Sequence, residues 1–150
     1  MSDAGAPEAG ALLLRHRFPA RAGELRSVRE AVRREALGQG CAPECAADIV
    51  IAVDEACQNI IRHAYAGRSD GEIVLEIELA GEELVVSLRD FAPPVDPSRV
   101  RPRDLDDVRP GGLGTHLIRQ VMDGAGFAPA PPGGGNLFRM RKRIRKEAAS

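Results

Sequence analysis

Asp54-Glu55-Ala56-Cys57-Gln58-Asn59-Ile60-Ile61-Arg62-His63-Ala64-Tyr65 is the stretch on which the reading of this chain turns. Ala56 and Ile60 continue an apolar stripe that begins at Ile49 and Val53, at three- and four-residue intervals, so the stretch belongs to an amphipathic helix. Pro43 opens that helix, since proline is tolerated in a first turn where the missing N–H has no partner anyway. The pattern carries the helix to about Tyr65 and stops it near Gly67. Glu55 and Asn59 stand four apart and therefore share a face, rotated part of a turn from the stripe. Such a pair is either simply solvated or a base beside a hard oxygen ligand. The second reading suits magnesium, which takes few protein oxygens and fills its octahedron with phosphates and waters.

Outward from this helix, the periodicity changes in an orderly way. Upstream, Leu25, Val28, Val32 and Ala36 recur at helical spacing, and Gly38 and Gly40 end that helix. Before it, Leu12, Leu14, His16 and Phe18 alternate as in a strand. Downstream, Ile73, Leu75, Ile77 and Leu79 alternate with polar neighbours, and Leu84, Val86 and Leu88 repeat the pattern after a turn at residues 80–83. Residues 91–111 hold five prolines, many charges and few large apolar side chains. A loop of that length in a compact domain is usually functional or disordered. A short helix is expected from about Gly114 to Asp123, then a Pro/Gly-rich turn over 129–135, then a last strand from Asn136 to Ile144 carrying Phe138, Met140 and Ile144 on one face. The order predicts an α+β two-layer sandwich, with helices on one face of a mainly antiparallel, mixed sheet. Residues 1–10 read as a flexible tail ahead of a single domain over 11–146.

Composition narrows the class. The 150 residues are 43% hydrophobic and 29% charged, an ordinary globular balance, and the net charge of -1 gives no field directed at nucleic acid or a membrane surface. No apolar run is long enough to span a bilayer, and the first ten residues lack a signal-peptide pattern, so a cytoplasmic protein is expected. Cys41, Cys45 and Cys57 are read as free thiols, because a closed zinc site needs four convergent ligands. The basic run at residues 141–146 is explained as well by a solvated strand edge as by a partner.

Two further features carry chemistry. Period two places Asp90 on the same face as Leu84, Val86 and Leu88, where a carboxylate is costly unless something binds it. It is either a turn residue at the strand end or an acceptor for a polar ligand group, such as an adenine amino group. Gly111-Gly112-Leu113-Gly114 runs into a helix expected to start near Thr115. Glycines allow close backbone approach, and the N–H groups of a helix N-terminus favour phosphate. No G-x-x-x-x-G-K-[ST] loop occurs and no G-x-G-x-x-G follows a strand, which excludes P-loop and dinucleotide-binding folds.

Taken in order, the pieces form a more specific pattern. Residues 54–65 resemble the N-box of the gyrase/histidine-kinase-type ATPase superfamily, in the version of the bacterial anti-sigma factor serine kinases, where E-A-x-x-N runs into H-A-Y. Residues 89–97 resemble its aspartate box, Gly111–Gly114 its second glycine box, and residues 135–142 its closing strand. The resemblance covers roughly residues 10–145 and implies the Bergerat fold, with ATP and magnesium bound. It implies that Asp90 accepts from the adenine amino group, with small Ala92 leaving room for the base. It further implies that Asn59 holds magnesium, and that Glu55 is the general base on a serine hydroxyl. Gly111, Gly112, Leu113, Gly114 and Thr115 would wrap the phosphates, under a lid formed by residues 98–113. Ala92 and Pro94 stand where the superfamily's D-x-G-x-G box has glycines. The implied partners are an anti-sigma factor antagonist, phosphorylated on serine or threonine, and a sigma factor; a homodimer is compatible with the reading, and direct nucleic-acid or membrane binding is not expected. Retention of Glu55 favours a kinase. The altered aspartate box favours a rival, an ATP-dependent binding module without productive transfer, and a kinase acting on a non-sigma target is the third reading.

Overall fold

The alternation in residues 72–90 builds the centre of the sheet. The computed structural model describes residues 10–66, 68, 70–93, 110–129 and 131–144, with the backbone alone for 110–115. Strands β2 (Glu72–Ala80) and β3 (Glu83–Asp90) pair in register as a hairpin, with Ala80 opposite Glu83. The two-residue turn has Gly81 at φ 63°, which glycine adopts without strain. Ile73, Leu75, Ile77, Leu84, Val86 and Leu88 all point into the core and are almost fully buried. Each such side chain contributes about 1.5–3 kcal/mol relative to exposure.

Strand β1 (Ala11–Pro19) pairs with β2, and β5 (Asn136–Arg143) with β3. A further strand, β4 (Gly124–Ala128), pairs with β5 at the edge, giving the order β1-β2-β3-β5-β4. Every pairing among the described residues is antiparallel, where the sequence reading expected a mainly antiparallel, mixed sheet. Strand β4 is absent from the sequence expectation because Gly-Ala-Gly-Phe-Ala holds a single strong strand former. A Cβ on Gly124 would sit 2.7 Å from the movable Arg141 guanidinium, whereas one on Gly126 would meet open space.

The helices cover one face. A 3-10 turn (Ala22–Glu24) leads into α1 (Leu25–Gly38), whose Leu25, Val28, Val32 and Ala36 are buried as the spacing required. Helix α2 (Pro43–Asn59) buries Ile49, Val53 and Ala56 and lies between α1 and α3 (Pro110–Val121). The opposite sheet face is polar, with ion pairs Arg15–Glu76, Arg17–Glu72 and Arg141–Glu83. Exposed pairs of this kind contribute about 0–1 kcal/mol each.

Three local outcomes depart from the sequence expectation. First, the regular α-helix ends at Asn59, and Ile60–Ala64 form a π turn in which Tyr65 N–H donates to the Ile60 carbonyl at 3.0 Å. The extra residue rotates the chain beyond it, so Tyr65 is buried while Arg62 and His63 face solvent. His63, inside the helical stretch, is therefore exposed rather than packed against the core. Second, α3 starts at Pro110 rather than near Gly114, so Gly111, Gly112, Leu113 and Gly114 are helical and Thr115 is not its first residue. Proline's fixed φ suits a first helical position, and an existing amphipathic helix extends cooperatively across glycines at about 1 kcal/mol each. Third, Lys142, part of the basic run, turns to the helix side, where it donates to the Val121 carbonyl at the end of α3 and lies 3.4 Å from Asp48.

Cys41 and Cys57 are buried, Cys45 is half-buried, and all three thiols are free. Burial, and then the hydrogen bond to Cys45, push the Cys41 thiol up to about 12; burial raises Cys57 as well. Among the described residues no cluster of three or more His, Cys, Asp or Glu side chains has the arrangement of a metal cage. Among them, too, no helix is long and apolar enough to cross a membrane.

Candidate functional site

The end of β3 holds the most elaborated polar arrangement. Asp90 is 3% exposed and lies on the core face, as period two along the strand dictates. Its Oδ1 accepts from the Ala92 N–H and from Asn136 Nδ2, both at 3.0 Å. The first contact is an Asx-type turn, so Asp90 does shape the strand end as well as face the core. Burial raises its carboxyl above the ordinary value, opposed by the donors on Asn136 and Ala92. Ala92 is itself buried, and its N–H is committed to Asp90.

Asn136 is the residue that sequence reading missed. It sits directly opposite Asp90 in the β3–β5 register, is buried, and also donates to the Pro93 carbonyl at 3.2 Å. Its approach depends on Gly135, at φ 86°, where a Cβ would collide with the Asp90 carbonyl oxygen. An asparagine at the first position of an alternating strand, after three glycines, was the available signal. Only the register shows that it faces the carboxylate.

Tyr65, at the end of the helical stretch, carries no role by sequence alone. It is buried, its hydroxyl donates to the Glu72 carbonyl at 2.7 Å, and it accepts from the Phe91 N–H at 2.7 Å. Its ring occupies the space that a Cβ on Gly71 would need. The end of the π turn is thereby fastened to the residue after Asp90. Arg89 secures the other side: its Nη2 donates to Pro132 and Gly134 carbonyls at 3.1 and 3.0 Å. Phe91, 41% exposed, lies between the guanidiniums of Arg17 and Arg89, at 5.4 and 4.8 Å from its ring centre.

Helix α2 has two polar faces of opposite character. On one, Arg29 donates to Asp54 at 2.9 Å, Gln58 to Asp54 at 2.7 Å, and Arg62 to Gln58 at 3.4 Å, a closed chain of partners. On the other stand Glu55 and Asn59, both half-buried. Asn59 Oδ1 is buried and has no hydrogen-bond partner among the described residues. A buried acceptor left unmade costs about 1–3 kcal/mol, so this oxygen fits a cation or donor supplied from outside the chain. A neutral amide oxygen beside a carboxylate is also a donor set of the hard kind magnesium takes. The structure places Asn59 at the last residue of α2, Glu55 one turn earlier, and the Gly111–Gly114 backbone in the first turn of α3, the helix packed along α2. Asp90 is tied to the same region through Tyr65. Residues 98–109 of the expected lid, and Pro94, lie outside the described residues. His16 stacks on Phe18 and His116 is exposed.

Known proteins resemble this chain in sequence and in fold. Residues 18–142 match the family model described as the histidine kinase-like ATPase domain. The serine-protein kinase RsbW of Listeria innocua is 35% identical over 92 residues, covering 56% of this chain and 59% of that protein's length. The serine-protein kinase RsbW of Bacillus cereus is 31% identical over 115 residues, with 71% of each chain covered. In the solved structures, the RsbU and RsbW domains of a Mycobacterium tuberculosis protein superpose with a TM-score of 0.60 at 22% identity, covering 87% of this chain and 31% of that one. That likeness shows the fold. The matched span takes in the α2 stretch, the end of β3, the first turn of α3 and the start of β5, so the chain belongs to the histidine kinase-like ATPase domain family, on the branch of the RsbW serine-protein kinases.

Proposed function

We propose that this chain is an ATP-dependent protein serine/threonine kinase that acts in the cytoplasm on a small regulatory partner, an anti-sigma factor antagonist, and that it also binds a sigma factor. The observation that carries the reading is the buried Oδ1 of Asn59, unpartnered among the described residues and one helical turn beyond Glu55. The names of the relatives, serine-protein kinases, support the reaction class.

In this reading Asp90 accepts from the amino group of adenine, and Ala92 keeps the wall beside the base small. Asn59 Oδ1 holds magnesium, which when bound neutralises phosphate charge. The N–H groups of Gly111 and Gly112, left open in the first turn of α3, face the phosphates, and Leu113, Gly114 and Thr115 continue that helix beside them. Glu55 takes the proton of the partner's serine hydroxyl as its oxygen attacks the γ-phosphorus. The bond to the bridging oxygen breaks, and ADP leaves with that electron pair. Catalysis then rests on positioning and charge stabilisation, which is what a set of fixed strand and helix ends supplies.

The second reading, a nucleotide-dependent binding module, is favoured by Ala92 and Pro94 in place of the glycines of the aspartate box. One assay separates the two. Radiolabelled ATP, magnesium and the cognate antagonist are incubated with the chain. The kinase reading expects label on a serine or threonine of the partner. ATP that alters partner affinity without labelling it would leave the binding module standing.

A further inference from the structure

We propose that Asn136 is a positioning residue for base selectivity: its amide holds the Asp90 carboxylate in one rotation and reserves Oδ2 for the amino group of the ligand. The inference rests on the reading of Asp90 as the adenine acceptor, and goes beyond it by naming what orients that acceptor.

A carboxylate's terminal torsion is soft and nearly two-fold, so a strand alone does not determine which oxygen faces a ligand. Here two donors converge on Oδ1, and the Asn136 backbone N–H also donates to the carboxylate. Ala92 N–H arrives from the same turn, and Asn136 Nδ2 from another strand, each at 3.0 Å. The second acceptor of Nδ2, the Pro93 carbonyl at 3.2 Å, determines which way the amide points. A flipped amide would set its oxygen against both a carboxylate and a carbonyl, so the arrangement has one low-energy orientation. The amide is anchored from behind, because β3 and β5 pair at Asp90 and Asn136 and Gly135 lies against the Asp90 backbone. Leucine at 136 would offer no donor, and aspartate would repel. Both hydrogens of the amide are thus engaged by the Asp90 turn.

The consequence is a selectivity that a merely structural residue would not produce. Calorimetric titration compares magnesium-ATP with magnesium-purine riboside triphosphate, which lacks only the base amino group, on the full chain. Wild type is expected to favour ATP by roughly tenfold, the scale of one hydrogen bond to a charged acceptor. Asn136→Leu is expected to lose about that factor for ATP and keep its affinity for the purine analogue, so that the preference collapses. Equal weakening for both nucleotides, or a preference as large as wild type's, overturns the inference. If wild type shows no preference, the Asp90 reading has failed, and the inference falls with it. Should circular dichroism show Asn136→Leu unfolded, Asn136→Ser decides. Its hydroxyl is too short to reach both acceptors, so a reduced preference supports the proposal and an unchanged one overturns it.

Discussion

The end of β3 and the end of α2 both bury a polar side chain, and they treat it in opposite ways. Asp90 is over-determined: two donors on one oxygen, a glycine cut to fit behind it, and Tyr65 and Arg89 bracing the residues on either side. Asn59 is under-satisfied, with a buried oxygen that no described group answers. A rigid acceptor suits a ligand group whose position never changes, such as an edge of a base. An unanswered acceptor suits something that arrives with the ligand and leaves with it. On the proposed reading, the two ends divide the task between reading the nucleotide and handling its reactive charge.

The largest effect that sharpens this contrast lies at Glu55, on the open face. Glu55→Gln preserves size and removes only the ability to take a proton. Transfer to the partner is expected to fall by about 10²–10⁴-fold. ATP affinity, measured by calorimetry on the same variant, is expected to stay at the wild-type value. A wild-type transfer rate in Glu55→Gln would remove Glu55 as the base while leaving the nucleotide site intact.

The fixed end is broken by Asp90→Asn. Ala92 N–H and Asn136 Nδ2 would hold the new amide's oxygen where Oδ1 now lies, leaving an NH₂ facing the ligand's own donor. ATP binding should weaken by roughly tenfold or more. Because burial raises the Asp90 carboxyl, wild-type binding should also begin to fail on acidification above the ordinary carboxylate value of 3.8. For stability the sign is reversed. A folded value above the unfolded one contributes stability below the unfolded value, and that contribution is lost as pH rises through the folded value. Asp90→Asn should abolish this component of both profiles, and unchanged profiles would place the titrating group elsewhere.

The smallest effects compare the two asparagines in the absence of nucleotide. Asn59→Leu removes an acceptor with no partner among the described residues and should leave the denaturant midpoint unchanged or raise stability by about 1 kcal/mol. Asn136→Leu strips a donor from a buried carboxylate and should lower stability by about 1–3 kcal/mol. Equal losses in chemical denaturation would erase the distinction between a satisfied and an unsatisfied end.

Much of this architecture is local in origin and therefore legible. Leu25, Val28, Val32 and Ala36 state a helix by spacing alone, and Ile73 to Leu88 state a hairpin by alternation around Gly81. The inward direction of Asp90 follows from the same count of two, and the shared face of Glu55 and Asn59 from a count of four. Other features belong to pairs distant in the chain. Asn136 meets Asp90 across 46 residues, Phe91 meets Tyr65 across 26, and Lys142 meets the end of α3 across 21. Strand β4 exists because β5 offers an edge with which Gly124–Ala128 pair. Residues one to four apart are set by the geometry of one helix or strand. Which buried donor answers which buried acceptor is decided only when the sheet register and the helix packing bring them together, because the cost of an unpaired group is met at the level of the whole fold.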